Sequence, residues 1–136
     1  MDGQSIKPVT SAEQLARFIF FRNRLRKDWT VKPDEFIPYP YPDLSVTRHI
    51  NLTETEIWNI GRRIAQQREK PLLARADVQA SSFERHRLRV VAAPIADNPN
   101  HANVTDWPTE KSAQKAIAQE ISAVIGKARK APTEPD

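Results

Sequence analysis

Leu44-Ser45-Val46-Thr47-Arg48-His49-Ile50, followed at once by Asn51-Leu52-Thr53-Glu54-Thr55-Glu56-Ile57-Trp58, is the stretch on which the fold turns. Its first seven residues alternate. Leu44, Val46, Arg48 and Ile50 share one face and Ser45, Thr47 and His49 the other, the period of a half-buried strand. Thr53 and Glu56 then stand at capping-box spacing, with a hydroxyl for an orphan N–H and a carboxylate reaching back. The helix they open runs to about Gln67. Ile57, Ile60, Gly61 and Ile64 line one side, Trp58 and Ala65 stand at its edge, and Asn59, Arg62 and Arg63 lie opposite. A strand that passes directly into an amphipathic helix is a building unit of layered folds.

Downstream, strand and helix alternate again, with no internal repeat. Pro71 closes the helix, residues 72–78 read as a second strand, and Ser81-Ser82-Phe83-Glu84 starts a short helix. Residues 88–93 read as a third strand stopped by Pro94. Residues 95–107 form a polar loop into a last helix near residues 109–128. Pro108 suits its first turn, Ala113, Ala116, Ile117, Ile121, Val124 and Ile125 form its buried stripe, and Gly126 is its stop.

Upstream, Pro33, Pro38, Pro40 and Pro42 disfavour helix, so residues 30–43 are expected to run extended as a stiff connector. A proline-rich ligand for another protein's aromatic groove is the alternative. Before them, Thr10-Ser11-Ala12-Glu13 again has capping-box spacing. Leu15, Phe18, Ile19, Arg22 and Leu25 follow helical spacing, although Phe18 to Phe21 equally suits a buried strand. The expectation is one domain over residues 10–128, of α/β or α+β class. Its small sheet has three strands or slightly more, covered by helices. Residues 1–9 are expected to be a flexible leader and residues 129–136 a flexible tail.

A chain of 136 residues fits a single domain. The absence of cysteine excludes disulfides, thiolate metal sites and cysteine nucleophiles. Three glycines leave no glycine-rich phosphate loop. The most apolar run, Phe18 to Phe21, is far below the roughly 20 residues of a membrane span. With no secretory pattern at the N-terminus, a soluble cytoplasmic protein without a membrane partner is expected. The formal charge is +4, and residues 44–93 alone hold nine basic against five acidic side chains, eight of the nine being Arg. Arg suits phosphate and carboxylate recognition. A basic middle of this kind meets nucleic acid or an acidic partner, or it solvates helix faces.

Two polar spots carry the candidate chemistry. Arg48 falls on the face to be buried, either as an anion anchor at a strand end or as a structural ion pair. Arg62, Arg63 and Arg75 are secondary anion-binding candidates. Arg75 and Asp77 share a strand face, where mutual pairing is the simpler reading. The loop residues Asn98, Asn100, His101 and Asn103 supply donors, acceptors and a group titrating near neutrality, yet they equally make turns. His101 and His49 are the candidate acid–base groups. The three histidines have no metal-ligand spacing, so neither a metal nor a cofactor is expected. Three functions follow: a non-catalytic accessory protein acting through a protein partner, a nucleic-acid-binding module using the Arg-rich surface, or a small enzyme acting on a nucleotide-like anion.

Overall fold

The computed structural model describes residues 7–133. The first six residues of the expected leader and the last three of the expected tail lie outside them. The strand-and-helix unit of residues 44–68 forms as its sequence predicts, giving β2 (Leu44–Arg48) and α1 (Glu54–Arg68). The Thr53 hydroxyl accepts the Glu56 N–H at 3.1 Å, and the Glu56 carboxylate accepts the Thr53 N–H at 2.8 Å. Around this unit lie β1 (Gln14–Ile19), β3 (Ala74–Gln79), α2 (Ala80–Glu84), β4 (Arg89–Ala92), β5 (His101–Thr105), α3 (Lys111–Ile125) and β6 (Arg129–Lys130). The six strands form one sheet in the order β4-β5-β2-β1-β3-β6, and every pairing is antiparallel. The class is therefore α+β, with twice the minimum number of strands expected.

The three extra strands each have a physical reason. Residues 14–19 form a central strand instead of a helix. The Thr10–Glu13 pair does close a turn, with the Thr10 N–H donating to the Glu13 carboxylate at 2.8 Å. Glu13 then takes the Arg48 guanidinium through two hydrogen bonds of 2.8 Å, and the chain leaves extended. Leu15 and Ile19 enter the core on one face, while Ala16, Phe18 and Phe20 pack under α1 on the other. A strand buried on both faces loses the in–out alternation that identifies it.

His101–Thr105, expected as loop, is an interior strand between β4 and β2. Its Ala102 and Val104 are fully buried, and the polar residues between them point to the other face. Residues 129–130, expected as tail, pair with Ala74 and Arg75, and Ala131 N–H continues to the Leu73 carbonyl. This closing strand supplies partners for the outer edge of β3.

The sheet is covered on both faces. On one side α3, α2 and a 3-10 turn at Pro33–Phe36 enclose the main core with Phe36, Phe83 and Ile121. On the other, α1 covers only the β1–β3 half through Ile57, Ile60 and Ala65. The last helix is rotated from its expected stripe. Gln114, Ala118, Ile121 and Ser122 are buried, whereas Ala116 and Val124 are exposed. Two side-chain hydrogen bonds account for this: Gln114 donates to the Pro108 carbonyl, and the Ser122 hydroxyl donates to the Val31 carbonyl. No helix among the described residues is long and apolar enough to cross a membrane.

Candidate functional site

β1 and β2 pair through only two residue couples, Leu15 with Arg48 and Ala16 with Thr47. Beyond them the strands splay. Arg17 fills the opening, its Nη1 donating to the Ser45 carbonyl of β2 at 2.9 Å. Its Nε donates to the Glu35 carboxylate at 2.9 Å. Residues 37–43, the proline-rich stretch, arch over this opening as a strap with a cis peptide at Tyr39-Pro40. The result is a cleft of about 500 Å³ at the split in the sheet. That is the size range of small-ligand sites.

The cleft wall is cationic and aromatic. Arg17, Arg24 and Arg68 contribute guanidiniums, Phe20, Phe21, Tyr39 and Tyr41 contribute rings, and Ser45 and Asn103 contribute polar side chains. Arg68 lies over the Phe20 ring at 5.2 Å and makes no hydrogen bond or ion pair among the described residues. Tyr39 and Tyr41 are 59% and 71% exposed, so the strap presents two rings to solvent beside the opening.

Glu35 is buried beneath the guanidiniums. Its Oε1 lies 3.6 Å from Arg24 Nη1 and has no hydrogen-bond partner. Burial raises the Glu35 carboxyl above its ordinary range, although Arg17 and Arg24 pull the other way. Arg17 is lowered, first by burial and also by the neighbouring charges of Arg68 and Arg24. Like charges are thus held together here with one buried carboxylate among them. Asp43 also lines the cleft, with no ion pair among the described residues.

Of the candidates read from the sequence, Asn103 lines this cleft, and His101 lines a smaller depression that shares Arg17, Phe20, Ser45 and Arg68 with it. His101 Nδ1 is 2.8 Å from the Ala93 carbonyl, so Nδ1 donates there, and in a neutral ring Nε2 is the acceptor. Asn98 and Asn100 build the turn before β5. Asn98 donates to the Thr47 hydroxyl and accepts from Asn100 N–H, and Asn100 donates to the carbonyls of Arg48 and Ile50.

Arg48 lies elsewhere. Its side chain leaves the opposite face of β2 from Thr47, and Glu13 and the carbonyls of Lys7 and Pro8 take its donors. Arg75 is fully buried between Asp77 and Glu54, with Trp58 4.7 Å from its guanidinium carbon. His49 joins that cluster through a 3.0 Å contact of Nε2 with Asp77. Arg63 donates to the Asp97 carbonyl, and Arg62 to Asn59. His49 and His101 therefore take different partners, and neither hydrogen-bonds to the Arg48 guanidinium.

The residues that make the cleft, Arg17, Arg24, Glu35, Tyr39 and Tyr41, were not singled out in the sequence. One signal was present: Arg17 interrupts an otherwise apolar run from Leu15 to Phe21. A lone charge in a buried strand needs a partner from elsewhere in the chain. Among the described residues no group of three or more His, Asp or Glu is placed to hold a metal. Comparison with known proteins finds no matching family model, no similar curated protein and no similar solved structure.

Proposed function

We propose that the protein is a non-catalytic interaction module that holds an acidic segment of a partner protein in the cleft between β1, β2 and the proline-rich strap. The carrying observation is the convergence of three guanidiniums on a cavity whose outer wall is two exposed tyrosines. Tyrosine and arginine together are the residues most enriched where proteins anchor one another. The strap is stiff by composition, so little ordering entropy opposes binding.

The test is fluorescence anisotropy with a labelled hexaglutamate peptide and a hexalysine control. Hexaglutamate binds and hexalysine does not. Affinity falls as added salt brings the screening length to about 10 Å. Replacing both Arg24 and Arg68 by Gln removes the binding. Equal binding by the double variant, or none at low salt, overturns the reading.

The nucleic-acid alternative draws on a smaller set of guanidiniums than the sequence suggests. Arg48, Arg63, Arg75 and Arg89 of the Arg-rich middle are engaged with Glu13, Asp97, Asp77 and Asp106. The enzyme alternative rests on one observation. His101 presents Nε2 as a base in a depression that shares Arg68 with the cleft. A phosphate-ester substrate would then meet a cation and a base side by side. Turnover of p-nitrophenyl phosphate that disappears in His101→Gln is the outcome that would favour it.

A further inference from the structure

The stereochemistry of the cleft narrows the ligand further, on the premise that the cleft takes an acidic segment. A carboxylate has two oxygens and is matched by one bidentate guanidinium. Here three guanidiniums reach one cavity, and each keeps donors to spare. Arg17 uses Nε and Nη1 on Glu35 and Ser45, leaving Nη2. Arg24 uses Nη1 on the Asp34 carbonyl, leaving Nη2. Arg68 leaves its whole fork, with its guanidinium carbon 5.2 Å from the centre of the Phe20 ring. A phosphate monoester brings three acceptor oxygens and a charge of about −1.5 to −2. It matches such an arrangement where a carboxylate leaves donors empty.

Two further groups say what carries the phosphate. Phe20, Phe21, Tyr39 and Tyr41 line the same cavity, giving an aromatic surface for a ring. Glu35 Oε1 is an acceptor without a hydrogen bond on a side chain only 4% exposed. A buried acceptor of this kind calls for a donor, and a peptide N–H is one. We propose that the cleft is a receptor for a phosphorylated tyrosine on an extended segment of the partner. The phosphate lies among Arg17, Arg24 and Arg68, the ring lies against the strap, and a main-chain N–H of the segment meets Glu35.

The probes are a peptide of one tyrosine flanked by three glutamates on each side, the same peptide phosphorylated on tyrosine, and adenosine monophosphate. Each is titrated calorimetrically into the full chain at fixed salt. The phosphorylated peptide is expected to bind about tenfold tighter or more than its parent, given the strength of charge-assisted bonds. Arg68→Gln should bring it down to the parent's affinity, while Arg85→Gln, which removes the same charge outside the cleft, leaves the preference intact. Arg68 is exposed and its guanidinium makes no hydrogen bond or ion pair among the described residues, so circular dichroism of the variant should match the native protein.

Equal affinity for the two peptides overturns this inference and leaves the acidic-segment reading standing. Absence of binding by both overturns the two together. Adenosine monophosphate binding as tightly as the phosphorylated peptide overturns the assignment to a protein partner.

Discussion

Arg75 is the largest fully buried side chain, and it is held by a carboxylate on either side. Its Nε donates to Asp77 at 2.9 Å and its Nη2 to Glu54 at 2.6 Å, while Nη1 has no hydrogen-bond partner and the guanidinium rests on Trp58. Truncation takes two hydrogen bonds from Asp77, which keeps His49 and Arg129 as partners, and opens a cavity under α1. Arg75→Ala should therefore cost about 2–5 kcal/mol in urea unfolding, the range for emptying the space of a large buried side chain.

Asp77 sets an acid limit. Burial alone would raise its carboxyl, but hydrogen bonds from His49 and Arg75 outweigh this and leave it below the ordinary value. The Arg75 hydrogen bond likewise lowers Glu54, and Arg48 lowers Glu13 against its burial. A depressed carboxyl contributes stability above its unfolded value, about 3.9 for Asp, and loses it as pH falls through the folded value. The urea midpoint should decline steadily below about pH 4. In Asp77→Asn the decline should be shallower and the neutral plateau lower. Glu35 has the opposite sign. Its raised value contributes stability in acid that is lost as pH rises through that value.

At the level of elements, α1 and β1 meet at one glycine. A Cβ on Gly61 would lie 2.6 Å from the Phe18 ring, closer than carbon atoms approach. Gly61→Ala therefore sets about 1 kcal/mol of helix propensity against about 1–3 kcal/mol of overpacking, and thermal unfolding should show a net loss. At the other end of the helix, Glu69 holds φ 54°, ψ 46°. Glu69→Gly should raise stability by about 0.5–1 kcal/mol, since glycine adopts this conformation without the Cβ clash.

Legibility followed the way each element is covered. β2 and α1 declare themselves through the alternation of residues 44–50 and the cap written in Thr53 and Glu56, and β3 and β4 as short apolar-rich runs beside Pro71 and Pro94. β1 does not, because Leu15 and Ile19 face one layer while Ala16 and Phe18 face the other. β5 was hidden by the turn chemistry of Asn98 and Asn100 just before it. In the site, Asn103 and His101 were found as polar residues on a connection. Glu35 and the two tyrosines were masked by the prolines beside them, since a stiff connector and a cleft wall have the same composition. Nothing local in the sequence brings Arg17, Arg24 and Arg68 together. Their convergence is a property of the strand order.

For the whole molecule, the sheet order predicts a gradient of local stability. β1 and β3 lie inside the sheet and pair with each other along six residues, whereas β4 and β6 each have only one neighbour. Hydrogen exchange should be slowest in the amides of residues 14–19 and 74–79 and fastest among the strands in residues 89–92 and 129–130. Bound acidic peptide should slow exchange around residues 37–45 and leave β4 unchanged.

β1 and β2 are antiparallel neighbours, which a loop of two to five residues commonly joins; here residues 20–43 run between them. Leu25, Val31 and Phe36 from that passage are spent in the core, but residues 39–42 are exposed throughout. Those four positions are an exchangeable cassette on a fixed frame, in the way that hypervariable loops ride on a sandwich. Selection, natural or in the laboratory, can rewrite Tyr39 to Pro42 and so redirect what the molecule captures without renegotiating how it folds.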